Sequence, residues 1–200
     1  MKKAIFIILL VLVADQVFKI WVKTSMLIGS RGEIVIFDNW FILHFIENEG
    51  MAFGMKFGGE SGKMILSIFR IIAVTAIGWY LVRICRKKSP FGLILSISLI
   101  FAGALGNIID SSFYGMIFSE STFHQTARLF PPEGGYGSFL HGKVVDMLYF
   151  PVIKGSYPQW FPFWGGTEFI FFRPVFNIAD ASITTGVFIL ILFQKSFFTK

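Results

Sequence analysis

The chain has 200 residues, 54% of them hydrophobic and 18% aromatic, with only 15% charged. Soluble domains carry about a quarter charged residues, so the balance excludes an ordinary soluble domain and points to a membrane-embedded one. The net charge of +6 does not argue for nucleic acid, because the basic residues gather at the ends of apolar runs, where lipid headgroups and topology account for them.

The first apolar run, AIFIILLVLVADQVFKIWV (Ala4 to Val22), follows Lys2 and Lys3. Its start imitates a signal peptide, yet no A-x-A cleavage pattern follows and the apolar pattern continues to Val22, so a retained helix over 4–23 is expected. Asp15, Gln16 and Lys19 interrupt it; Asp15 and Lys19 are four apart, share a helix face and can form an ion pair.

Residues 24–63 do not read as helix. EIVIFDNWFILHFIENEG holds short β-prone runs broken at Asp38-Asn39 and Glu49-Gly50, which predicts a small sheet on the membrane surface. In GMAFGMKFGGESG, Met51, Phe53, Met55 and Phe57 alternate among glycines that include Gly54. That make-up suits a movable cover over a site, or a static edge strand.

Helices over 64–83 and 91–110 follow, joined by the basic RICRKKS, and the last is expected over 174–194. Each approaches the 20 or so residues that a hydrocarbon core of about 30 Å requires. Four spans put Lys2 and Lys3, the Arg83-to-Lys88 cluster, Lys195 and Lys200 on one side, expected to be the cytoplasm, with both termini there. The connection over 111–173 then faces outward like 24–63, and is rich in Phe, Trp, Tyr, Gly and Pro; YPQWFPFWGG suits a headgroup-level aromatic belt. The fold class is thus a mainly α membrane protein: four transmembrane helices, a small extracytoplasmic sheet and an extended second outer loop, in a single domain over 1–200.

Ionisable and amide groups in such surroundings are expensive and mark candidate sites. Asn107 and Asp110 are three apart on the third helix, as are Asn177 and Asp180 on the fourth, so each pair presents an amide beside a carboxyl. Asn48 and Asp146 lie in the outer connections. Taken singly, each has a structural reading, as a paired charge, an interhelical hydrogen bond or a turn carboxylate. Two carboxylates brought together away from water would share a proton, one member activating water and the other protonating a carbonyl. Other chemistries lack their parts: no H-E-x-x-H, no metal-binding cysteine spacing, no P-loop and no G-x-S-x-G occur, and no metal or cofactor is expected.

DQVFK (15–19), NEGMAFG (48–54), AGALGNIID (102–110), VVDMLYF (144–150) and FNIADASI (176–183) together resemble the lipoprotein signal peptidases (signal peptidase II). The resemblance implies an aspartyl protease of the bacterial inner membrane with its site near the outer face. It implies Asp146 and Asp180 as the catalytic pair, and Asp15, Lys19, Asn48, Gly54, Asn107, Asp110 and Asn177 as supporting or substrate- and inhibitor-binding residues. The implied substrate is a prolipoprotein whose cysteine carries diacylglycerol, cut just before that cysteine; membrane lipids and globomycin-type inhibitors are the other implied partners. Two features depart from the family pattern. Ser111 stands where an arginine is usual, making Arg128 or Arg173 candidate replacements, and the stretches near 113–140 and 153–172 are insertions. A proton-relay transporter through Asp15, Asp110 and Asp180, or a non-enzymatic assembly factor, remain alternatives from a different class.

Overall fold

The computed structural model describes residues 1–38, 40–49 and 59–198. Helix α1 (Lys2–Ser25) leads through a 3-10 turn to strands β1 (Ile34–Phe37) and β2 (Phe41–Asn48). Helices α2 (Gly59–Arg86) and α3 (Phe91–Ile109) follow, and α3 runs on through a π turn (Asp110–Tyr114) into the short α4 (Gly115–Ile117). Strands β3 (Val144–Tyr149), β4 (Ile153–Ser156), β5 (Glu168–Phe171) and β6 (Val175–Phe176) precede α5 (Ile178–Leu192) and α6 (Gln194–Phe198).

Among the described residues, three stretches, Lys2–Ser25, Met64–Arg86 and Phe91–Ile117, are long and apolar enough to cross a membrane. Their outward faces stay apolar and bare: Phe6, Leu9, Val13 and Val17 on α1, and Ile65, Phe69, Ile72 and Trp79 on α2, are exposed. Water would not tolerate so large a surface, whereas acyl chains cover it at no cost. This is a multi-pass membrane protein. The expected fourth helix begins at Ile178 rather than at 174, because Val175 and Phe176 pair with β3 and Asn177 caps the helix.

The sheet reads β1-β2-β3-β6, antiparallel throughout, so both long connections contribute to one layer. Alternation along β3 buries Val145 and Met147 in a core with Val22, Phe45, Tyr114 and Phe118, and turns Asp146 to the other face. Part of the segment over 113–140 joins that core through Phe118 and Ala127. A second core, around Leu81, Ile84, Leu93 and Ile97, ties α1, α2 and α3 at the other end. Helices α3 and α5 approach unusually closely at Gly103, where a Cβ would lie 2.2 Å from the carbonyl oxygen of Ala179. The glycine-rich segment divides: 59–62 belong to α2 rather than to a cover, while Asn39 and 50–58, with Gly54 and the alternating Met and Phe residues, lie outside the described residues.

Candidate active site

Asp146 and Asp180 reach one place by different routes. Asp146 projects from β3 and is 3% exposed. Its Oδ1 accepts a 2.7 Å hydrogen bond from Asn177 Nδ2, and its Oδ2 one of 3.3 Å from Asn48 Nδ2. Asn48 pairs in register with Val144 on the neighbouring strand, so it meets Asp146 as a diagonal same-face neighbour.

Asp180 is placed by the start of α5. Asn177 Oδ1 accepts from the Asp180 amide at 2.9 Å, while Asp180 Oδ2 accepts from the Asn177 amide at 3.3 Å. This is a capping box built from an amide and an aspartate, and it satisfies two of the helix's free N–H groups. The remaining oxygen, Oδ1, accepts a 2.8 Å bond from Asn107 Nδ2 on α3. Asn177 therefore holds both carboxyls, one through its side chain and the other through its cap. Asp146 is pushed up to about 7, first by burial and then by the charge of Asp180, against the pull of the Asn48 bond, the Lys19 charge and the Asn177 bond. A half-buried carboxyl and a buried one that keeps its proton near neutrality can together move protons on and off a bound water or carbonyl.

Beneath the pair sits Lys19, fully buried, with its ammonium 2.9 Å from Asp15 Oδ2, 2.8 Å from Asp110 Oδ2 and 2.9 Å from Asn107 Oδ1. Each of those partners carries a second duty. Asp15 Oδ1 accepts the Ala179 amide of α5 at 2.9 Å, and Asp110 Oδ2 accepts the Val145 amide of β3 at 3.3 Å. One cation thus ties the element bearing Asp180 to the strand bearing Asp146. Gln16 donates to Asp110 Oδ1 at 2.9 Å and accepts from the Tyr114 hydroxyl at 3.2 Å, closing the network. Gly106 belongs to it by what it lacks, since a Cβ there would come within 2.8 Å of Asp15 Oδ2.

The structure brings together every residue singled out for the site except Gly54, which lies outside the described residues. Asp15, Lys19 and Asp110 form the floor, and Asn48, Asn107 and Asn177 touch the aspartates. Ser111 bonds back to the Asn107 carbonyl at 3.0 Å and supplies no charge. Arg128 is not its replacement: it pairs with Glu133 on an exposed loop. Arg173 is exposed between β5 and β6. The guanidinium whose charge acts on Asp180 and Asp146 is Arg70, on α2. The sequence carried a signal for it, because Arg70 is a lone cation inside an apolar helix. A second buried cluster, not legible along the chain, has Lys23 paired with Glu47 and donating to Ser121 Oγ at 3.0 Å. Burial raises the Glu47 carboxyl, but Lys23, Ser121 and Lys143 together hold it below the usual carboxylate range. No group of three or more metal-ligating side chains occurs among the described residues.

A family model described as signal peptidase (SPase) II matches residues 7–196. The chain is 51% identical over 187 residues to a lipoprotein signal peptidase of Porphyromonas gingivalis, covering 93% of this chain and 80% of the relative. It is 39% identical to a lipoprotein signal peptidase of Amoebophilus asiaticus, over 95% of this chain and 76% of that one. Among solved structures, a bacterial membrane enzyme determined by the in meso method at 2.3 Å resolution superposes with a TM-score of 0.62. It shares 26% identity, over 100% of this chain and 93% of that one.

Proposed function

The chain belongs to the signal peptidase II family, a family of proteases, and from that premise we propose that it removes signal peptides from lipoproteins with Asp146 and Asp180 as an aspartyl pair. The observation that carries the assignment is Asn177, one side chain bonded to both carboxyl-bearing residues. Asp180 takes a proton from a water, whose oxygen attacks the scissile carbonyl. Asp146, buried and raised to about 7, gives its proton to the carbonyl oxygen. Collapse of the resulting gem-diol breaks the C–N bond, a proton passes to the leaving nitrogen, and a carboxyl and a free amine remain. Lys19, Asp15 and Asp110 hold the two elements in register.

The substrate is a prolipoprotein already carrying diacylglycerol on its cysteine, cut on the N-terminal side of that residue. The whole chain acts as one peptidase domain in the bacterial inner membrane. Four spans with both termini cytoplasmic fit the basic ends and put the aspartates near the outer boundary. Helix α5 alone, at about 22 Å, is short of a hydrocarbon core of about 30 Å, and α6 follows after a single residue to extend it. A globomycin-type cyclic peptide would occupy the aspartate pair without being cut.

A gel-shift assay on a diacylglyceryl-modified prolipoprotein tests the reading. The wild type should shorten the modified substrate and leave the unmodified one intact, and Asp146→Asn and Asp180→Asn should each abolish the shift. Near-normal cleavage by either variant removes the aspartyl assignment.

A further inference from the structure

The segment between the two aspartates is more than a connection. From the end of β3 the chain forms the β4–β5 hairpin and returns through β6 to Asn177, so the hairpin is the covalent link between Asp146 and Asp180. Its strands pair with each other, from Ile153 opposite Phe171 to Ser156 opposite Glu168, and belong to a two-stranded sheet of their own. An isolated two-stranded ribbon is marginal in water. This one has a small aromatic core: Tyr157 stacks on Phe161 at 5.1 Å and lies 5.0 Å from Phe169.

Trp160 and Trp164 lean on that core at Phe161, 6.0 Å and 6.2 Å away, yet the tip leaves much of its ring surface bare. Trp160 is 79% exposed and Phe163 95% exposed, with Trp164 also exposed. Phe163 has a φ of 70°, in the left-handed region that costs a side-chain-bearing residue energy, and its ring meets Trp164 edge-on at 6.3 Å while staying almost wholly exposed.

The surroundings of the tip match lipid in three respects. The foot of the hairpin lies a few residues before α5, a helix that toward its far end exposes Val187, Phe188, Ile191 and Leu192 like the other helices' outer faces, so the foot stands at one end of a lipid-facing helix. An aromatic row continues from that foot: Phe172 lies 6.0 Å from Phe176, Phe176 5.7 Å from Phe150, and Phe150 6.3 Å from the exposed Trp40. Lys154 and Arg173 flank the hairpin against a single acid, Glu168, the mixture of cations and tryptophan that anionic headgroups favour.

We propose that the β4–β5 hairpin is seated in the bilayer: Trp160, Phe163 and Trp164 enter the headgroup–acyl boundary while Lys154 and Arg173 meet phosphates. The link between Asp146 and Asp180 is thereby held at a fixed depth. The seating rests on the membrane-spanning fold; its consequence for cleavage rests on the peptidase reading above.

Nitroxide labels at Phe163→Cys and, separately, Trp160→Cys, in a Cys85→Ser background, measure the depth directly. The protein is placed in nanodiscs of phosphatidylethanolamine and phosphatidylglycerol, with Glu133→Cys on the exposed outer loop as the aqueous control. Labels at 163 and 160 should collide more with oxygen than with a water-soluble nickel chelate, and the label at 133 the reverse. Chelate-dominated collisions at both tip positions overturn the seating, as does a short label-to-label distance between two copies, which would make the tip a dimer contact. The triple variant Trp160→Ser/Phe163→Ser/Trp164→Ser should lose cleavage of lipidated substrate in nanodiscs and retain it in detergent. Equal retention in both overturns the depth role. No cleavage by the wild type in either medium overturns the peptidase reading and leaves the depth measurement standing.

Discussion

Asp146→Asn should make the protein more stable above neutral pH while abolishing cleavage, because the carboxyl is held where its charge is costly. Burial and then the neighbouring Asp180 push it up to about 7 from an ordinary 3.8. The unfolded chain releases the same proton near pH 4. Between about pH 4 and 7 the folded state therefore binds more protons, so this group's contribution to stability falls as pH rises through that window and is level above it. The gap corresponds to about 4 kcal/mol at pH 8, a ceiling for the gain on removing the charge. Asparagine has one accepting oxygen, so one of the two bonds from Asn177 and Asn48 is lost, at about 1 kcal/mol. The expected net is a gain of about 3 kcal/mol at pH 8 and roughly nothing at pH 4.5. Denaturation of wild type and variant in detergent micelles at both pH values measures it. An effect of the same size and sign at the two pH values would falsify the buried-charge account, whatever happens to activity.

Lys19→Met leaves Asp15 and Asp110 buried without their cation, and should cost about 3 to 5 kcal/mol, read as a lower unfolding midpoint and poor yield. Unchanged stability would mean that the floor of the site does not hold the elements together. Gly103→Ala forces α3 away from Ala179, at about 1 to 3 kcal/mol, and should lower turnover by more than its stability loss explains, because Asn107 one turn on moves from Asp180. Turnover that tracks stability alone would refute that geometry. Chelators and thiol alkylation should leave cleavage intact, since Cys85 is buried in the core at the other end of the helices. Loss on chelation that a divalent ion restores would favour a metal mechanism.

Much was readable without coordinates, and for a common reason. Membrane class follows from composition, and the Asp15–Lys19 pair from helical periodicity; both are local properties of the chain, and the 2.9 Å contact agrees with the spacing. The family followed from short motifs in order, each a local string of residues. Asn177 and Asp180 were legible as a spaced pair, but not as a capping box, because the apolar Val175 and Phe176 look helical until β3 claims them. Arg70 was visible as a lone cation in an apolar run, yet nothing along the chain names the carboxylates its charge meets.

What only the tertiary structure decided is which distant residues meet. Asp146 and Asn177 are 31 positions apart, and Asp15 reaches the amide of Ala179 across 164. Contacts of that separation are set by how helices and strands pack once each has buried its apolar face, and no local propensity encodes them. The sequence by itself therefore determined the solvent this protein lives in, the helices that answer to it and the family it belongs to. The strand pairing that turns Asp146 away from the core, the cap that gives Asn177 to both carboxyls, and the Lys19 charge that ties their elements together came from packing, because each depends on segments that are neighbours only in the folded chain.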